Sequence, residues 1–264
     1  MLPRILTIAG SDSGGGAGIQ GDINTISALG GYATTAITAL TAQNTQGVSA
    51  VYAVPADFVV AQIDAVLSDI GADSIKTGML YSAEVIEAVA ARLKDETIPL
   101  ILDPVMIAKG GSPLLQADAI EVLKEKLIPQ AALLTPNLPE AEALTGLSLA
   151  KDPSRNALLE MAHALKILGA KTVLLKGGHS AEDKLTDLLL DADDDAHWFE
   201  SERINTPHTH GTGCAYASAI ATLIHSEPTI AAAIEKAHHF IKRAIENAPR
   251  IGSGHGPIRH YADK

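Results

Sequence analysis

Four loops of this 264-residue sequence carry residue types suited to holding a charged small molecule. The apolar run Leu100–Leu102 ends in Asp103, then Pro104-Val105-Met106 and Lys109-Gly110-Gly111. Leu133-Leu134 lead into Thr135-Pro136-Asn137-Leu138-Pro139-Glu140, which sets Asn137-x-x-Glu140 at a helix start. Val173–Leu175 lead into Lys176-Gly177-Gly178-His179. The fourth loop, His210-Gly211-Thr212-Gly213-Cys214, immediately precedes the helical stretch Ala215–Ile224. Small residues there leave successive backbone N–H groups uncovered, and a helix start adds positive potential, so the loop suits an anion. The P-loop pattern G-x-x-x-x-G-K-[ST] is absent. A lysine, two carboxylates, an Asn and an anion-binding helix start together suit a nucleotide–Mg²⁺ complex. Carboxylates and Asn hold the hydrated metal, Lys meets phosphate oxygens, and the helix start stabilises a transferring phosphoryl group. Each residue also has a plainer role, Asp103 and Asn137 as turn or cap residues and Lys176 as a solvated charge. For Cys214 the plainer role is a small buried apolar residue, but its place at a helix start favours the thiolate.

A second glycine-rich element, Gly10-Ser11-Asp12-Ser13-Gly14-Gly15-Gly16-Ala17-Gly18, follows the first apolar run. Within it and just beyond, Gly16-Ala17-Gly18-Ile19-Gln20-Gly21 matches the dinucleotide pattern G-x-G-x-x-G. That reading requires an acidic residue about 20 positions on to hold the ribose, and no Asp or Glu occurs from Ile23 to Ala56. The NAD reading is therefore weak. Two others stand beside it: a turn that lets helix and strand pack closely, and a loop whose bare backbone closes around a small ligand, with Asp22 one turn inside the helix. His163, His225, His238 and His239 fall within predicted helices and lack zinc spacing, whereas His208 and His210 flank the anion loop.

Short apolar runs alternate with stretches of helical period, and this alternation must place the loops. Strands are expected at Arg4–Gly10, Ala33–Leu40, Val48–Val54, Ser74–Met79, Pro99–Asp103, Ala132–Pro136 and Thr172–Lys176. Helices are expected through about Leu29 and over Pro55–Ile70, Ser82–Leu93, Ala119–Leu127, Glu140–Thr145, Ser154–Leu168, Gly213–His225 and Thr229–Asn247. Leu185–Leu190 and His197–Glu200 read as a hairpin across the acidic turn Asp191–Asp195, a solvated turn. Regular alternation of this kind implies one α/β domain over residues 1–264, with a mostly parallel sheet and helices on both faces. Ligands then collect at the carboxyl ends of the strands, where all these loops lie.

Composition narrows the possibilities. The net charge, 20 basic less 31 acidic residues, is −11, which argues against nucleic-acid and membrane-surface partners. A single cysteine fits a reducing compartment, and no apolar stretch is long enough to span a bilayer, so a cytoplasmic protein is expected.

Taken in order, these motifs resemble a known family. Ala9-Gly10-Ser11-Asp12-Ser13-Gly14-Gly15-Gly16-Ala17-Gly18-Ile19-Gln20, Thr41-Ala42-Gln43-Asn44-Thr45 and Lys76-Thr77-Gly78-Met79 are similar to segments of hydroxymethylpyrimidine/phosphomethylpyrimidine kinases. So are Asp103-Pro104-Val105-Met106, Thr135-Pro136-Asn137-Leu138-Pro139-Glu140, His208-Thr209-His210-Gly211-Thr212-Gly213-Cys214 and Gly254-His255-Gly256-Pro257. The resemblance implies a ribokinase-like, three-layer α/β/α fold and ATP-dependent phosphorylation of 4-amino-5-hydroxymethyl-2-methylpyrimidine to its monophosphate and then its diphosphate, in thiamine biosynthesis. It implies that Gly10, Asp22, Gln43, Met79 and Ile107 line the pyrimidine pocket. Gly211, Gly213 and Cys214 would form the anion hole, with Lys176 beside them. Asp103, Asn137, Glu140 and Lys176 would serve Mg²⁺–ATP, with Asp103 and Glu140 on the metal, directly or through water. Gln43 suits its role because an amide offers donor and acceptor to an aminopyrimidine edge, and Met79 offers a polarizable face. Many members of the wider superfamily carry Asp at the place of Cys214, so Cys here disfavours an ordinary sugar kinase. The resemblance also implies a homodimer, and it leaves pyridoxal open as an alternative acceptor.

Overall fold

The computed structural model describes residues 2–107, 111, 114–116, 118–177 and 184–261. Apolar runs with no polar face must be covered on both sides, and they form the strands of one nine-stranded sheet. In chain order these are β1 (Arg4–Asp12), β2 (Tyr32–Asn44), β3 (Gly47–Ala53), β4 (Ser74–Thr77), β5 (Leu100–Leu102), β6 (Leu133–Leu134), β7 (Val173–Leu175), β8 (Lys184–Leu190) and β9 (Ala196–Glu202). In space the order is β3-β2-β1-β4-β5-β6-β7-β8-β9. The six strands from β2 to β7 run parallel, and β3, β8 and β9 are added antiparallel at the two edges. From β1 the chain first builds outward through β2 and then, from β4, in the other direction. The carboxyl ends of β1 and β4 therefore flank the topological switch point, where an open α/β sheet leaves a crevice.

The helices are α1 (Gly18–Ala28), α2 (Ala56–Asp69), α3 (Ala83–Leu93), α4 (Ala119–Val122), α5 (Leu138–Thr145), α6 (Arg155–Ile167), α7 (Thr212–Leu223) and α8 (Ile230–Glu246). Strand side chains alternate between two cores. Leu6, Ile8, Leu100, Leu102, Leu134, Val173 and Leu175 pack with α2 to α6. Ile5, Ile101, Leu133 and Leu174 pack with α1, α7 and α8. This is the three-layer arrangement the sequence predicts. Among the described residues no helix is long and apolar enough to cross a membrane.

One expected helix differs. Over Ala119–Leu127 only the first turn is α-helical; a π turn (Leu123–Leu127) and a 3-10 turn (Ile128–Gln130) complete it. Pro129 lies within that last turn, and its missing N–H and bulky ring loosen the turn before it.

Candidate active site

The glycine-rich loop after β1 is organised by Asp12. Its carboxylate accepts from the N–H groups of Gly14, Gly16 and Ala17 and meets His210 Nε2 at 2.8 Å. Burial alone would raise its pKa; the His210 contact and these N–H groups outweigh that and hold Asp12 below the usual carboxylate range. His210 Nε2 also stands 3.4 Å from Gln43 Nε2. His260, from the far end of the chain, places Nε2 2.8 Å from Gly16 O. A Cβ on Gly16 would meet His210 at 2.5 Å and Pro257 at 2.9 Å. The backbone that the dinucleotide pattern would offer to a pyrophosphate is thus covered by the protein's own side chains, which corrects the NAD reading.

The anion loop faces the lysine loop. Gly211 caps α7 with φ +83°, and a Cβ there would lie 1.8 Å from Gly16 O, so only glycine fits. No side chain caps this helix, so the N–H groups of Gly213 and Cys214 lack intrahelical partners. A Cβ on Gly213 would stand 3.5 Å from Lys176 Nζ and 3.8 Å from Asp103 Oδ2. Lys176 Nζ binds Asp103 Oδ1 at 2.7 Å, and Thr135 donates to the same oxygen at 3.2 Å. Burial works against the Lys176 ammonium, but Asp103 and Glu140 outweigh it and raise its pKa. Burial pushes Glu140 up to about 7, opposed by Lys176 and reinforced by the charge of Asp103. Asn137 and Glu140 form a reciprocal capping box at the start of α5, each bond 2.9 Å. Asn137 is therefore a helix cap, and Glu140 shares its carboxylate between that cap and the Lys176–Asp103 cluster.

At the switch point, Gly10 and Met79 face each other: a Cβ on Gly10 would stand 3.0 Å from Met79 Sδ. Met79 packs with Ala39 and Leu114, and Val48, Val51, Tyr81 and Val105 close the same apolar patch. Gln43 Oε1 is 3.2 Å from the Thr41 hydroxyl. The two halves of the site meet through Gly18, whose Cβ position abuts Gly10 O and whose N–H donates to the Cys214 sulfur. Burial pushes the Cys214 thiol up to about 11; Lys76 and the Gly18 N–H oppose this, while Asp22 and Asp103 add to it. The thiolate expected at a helix start is overruled here by burial.

Asp22 departs from its expected place. It is fully buried beneath the pocket, where Lys76 Nζ meets both oxygens at 3.0 and 2.9 Å, Ser218 donates to one and Thr7 to the other. No oxygen is left for a ligand. Ile107 is 58% exposed. The Lys109-Gly110-Gly111 stretch beyond β5 falls, apart from Gly111, outside the described residues, as do Gly178 and His179.

Sequence reasoning gives no role to Lys76 or Asp12, while it expects His210, flanking the anion loop, to orient that loop and not to act in catalysis. A lone lysine inside Ser74–Thr77 was the available signal for the first, since a buried ammonium requires a buried carboxylate. A cleft of about 510 Å³ lies instead near the amino ends of β1, β4 and β5, lined by Arg4, Asp64, Arg92 and Glu96. Its charges pair among themselves (Arg92 with Asp64 and Glu96) or with Asp73 (Arg4), and it carries none of the chemistry above.

Among the described residues no three His, Cys, Asp or Glu converge as a metal site. Two buried carboxylates, Asp103 and Glu140, do stand together. Hard oxygen donors fit Mg²⁺, which usually takes one or two carboxylates and completes its shell with water and phosphate oxygens.

Comparison with known proteins agrees with this geometry. A family model described as phosphomethylpyrimidine kinase matches residues 12–259. The thiamine biosynthesis bifunctional protein ThiED of Geobacter sulfurreducens is 51% identical over 262 residues; the alignment covers 98% of this chain but 53% of that protein, so the chain spans about half its length. The hydroxymethylpyrimidine/phosphomethylpyrimidine kinase of Haemophilus influenzae is 49% identical, with 99% of this chain and 97% of that one covered. Among solved structures, an ADP complex of Bacillus subtilis pyridoxal kinase superposes with a TM-score of 0.88 at 34% identity, covering 98% of each chain.

Proposed function

The chain belongs to the phosphomethylpyrimidine kinase family, and from that premise we propose how its ribokinase-like site works. The enzyme is a phosphotransferase that uses ATP to phosphorylate 4-amino-5-hydroxymethyl-2-methylpyrimidine and then the resulting monophosphate, in thiamine biosynthesis. The observation that carries the site assignment is the uncapped start of α7 facing Lys176 and Asp103 on one side and the Gly10–Gly18 wall on the other.

In this reading Gln43 meets the aminopyrimidine edge, and Gly10 and Met79 hold the ring. The Gly213 and Cys214 N–H groups stabilise charge on the transferring phosphoryl, and Lys176 meets phosphate oxygens. Asp103 and Glu140 would hold Mg²⁺, directly or through water, and the ion would supply countercharge for the ATP phosphates. Asn137 acts through its cap, by fixing where Glu140 stands. The neutral Cys214 thiol leaves most of the work to the helix-start field and to alignment of the acceptor hydroxyl.

ADP release with Mg²⁺–ATP and four acceptors (hydroxymethylpyrimidine, its monophosphate, pyridoxal and ribose) tests this. Turnover on both pyrimidines, abolished by EDTA, is expected; turnover on ribose alone would refute it. The likeness to pyridoxal kinase favours a second reading in which pyridoxal is also accepted, more slowly. A homodimer completes the proposal, and light scattering giving one chain mass of 27.5 kDa would refute that part. A cytoplasmic location follows from ATP use and a single thiol; recovery in another cell fraction would count against it.

A further inference from the structure

Asp187 lies on β8, a strand that supplies none of the site residues above, and is only 8% exposed. Its Oδ1 accepts from the Gly177 N–H at 2.8 Å, and Gly177 directly follows Lys176. A Cβ on Gly177 would stand 2.0 Å from Thr186 O, so the chain leaving β7 lies flat against β8. On the other side, the buried Tyr216 hydroxyl faces the same carboxylate without a hydrogen bond of regular geometry. Tyr216 sits on α7, two residues beyond Cys214. The His238 ring of α8 lies 6.2 Å from the Tyr216 ring and backs this contact.

One buried carboxylate therefore touches both structures that must stay in register: the corner carrying Lys176 and the helix whose first turn carries Gly213 and Cys214. A buried acid is costly unless its neighbours compensate, and burial does push Asp187 up. Leu189, two residues on and on the same face of the strand, is buried in the apolar core against α7 and α8, so packing alone does not call for an acid here. The Lys176 ammonium is gripped at its tip by Asp103, and its own N–H donates to Pro136 O at 2.9 Å; the bond from Gly177 N–H to Asp187 ties the other side of this corner, and catalysis by alignment is lost with shifts of about an ångström.

We propose that Asp187 is a positioning residue for phosphoryl transfer, which fixes the span from Lys176 to the start of α7 by binding Gly177 N–H and bearing on Tyr216. The proposal rests on Lys176 meeting the ATP phosphates. Kinetics of Asp187→Ala, Asp187→Asn and Lys176→Ala, normalised to folded protein by circular dichroism, test it. Asp187→Ala is expected to lower kcat by about tenfold or more and to raise KM for ATP several-fold, with KM for hydroxymethylpyrimidine within about twofold. Asp187→Asn keeps an oxygen for Gly177 N–H and is expected to restore both ATP parameters to within about threefold. Should Asp187→Ala fail to fold, Asp187→Ser, whose hydroxyl is too short to reach Gly177, takes its place with the same expectation. Unchanged ATP parameters in the Ala or Ser variant, equal losses for both substrates, or no rescue by Asn would overturn the proposal. Lys176→Ala separates the two failures. If it leaves the ATP parameters unmoved, the underlying assignment falls; if it moves them while Asp187→Ala does not, only the role of Asp187 falls.

Discussion

At Cys214, effects of opposite sign meet on one atom. Burial, Asp22 and Asp103 disfavour a thiolate, while Lys76 and the Gly18 N–H favour it, and the thiol ends up at about 11. Alkylation by iodoacetamide should therefore be slow at pH 8 and accelerate toward pH 11; a midpoint below pH 8 would restore a resting thiolate. Cys214→Ala should lower kcat by about tenfold to a hundredfold with pyrimidine affinity nearly unchanged. An unaltered rate would remove the side chain from the mechanism. The neighbouring Gly211 is constrained in a different way. Its φ of +83° and its approach to Gly16 O leave no room for a methyl group. Gly211→Ala should cost about 3 kcal/mol or more in stability and abolish turnover together; a variant with near-normal melting and activity would show that the contact can relax.

At the scale of elements, α5 does two jobs with one pair of residues. Asn137 and Glu140 close the helix start reciprocally, and Glu140 also faces Lys176 and Asp103. Asn137→Ala should cost about 1 kcal/mol by chemical denaturation and raise KM for ATP, because a frayed first turn no longer holds Glu140. A stability loss without any change in KM would reduce Asn137 to its cap alone. Most elements were legible in the sequence because strands such as Leu133-Leu134 and Val173–Leu175 are apolar on both faces and end at polar loops. Asn137-x-x-Glu140 was legible too, since a cap is written in four consecutive residues. The helix expected over Ala119–Leu127 is there, but its second part is π rather than α, a detail the pattern does not carry because Pro129 acts backward on the turn before it. The Lys76–Asp22 pair escaped because its partners lie 54 residues apart. Asp22, set on the pocket wall by resemblance, lies beneath it because a buried ammonium needs the whole carboxylate.

Across the whole molecule, the site is tied together by contacts of very long sequence separation. Asp12 and His210 are 198 positions apart, and His260 reaches back 244 positions to Gly16. The folded Asp12 titrates below its ordinary 3.8, so its stabilising contribution is full above that value and fades as the pH falls through its folded pKa. Asp12→Asn should therefore lower the melting temperature at pH 7, by a loss of about 1–2 kcal/mol. The gap to the parent should narrow below pH 4; a gap that widens in acid would contradict the assignment. The reach of His260 also has a bearing on biosynthesis. The glycine loop leaves the ribosome long before the histidine that binds Gly16, and at about 5–20 residues per second the interval is on the order of 10–50 s. Over that interval the nascent chain carries an unclosed loop next to strands that are already pairing. A stalled or prematurely released polypeptide lacking residues 257–260 would bury most of its sheet and yet have no finished catalytic centre.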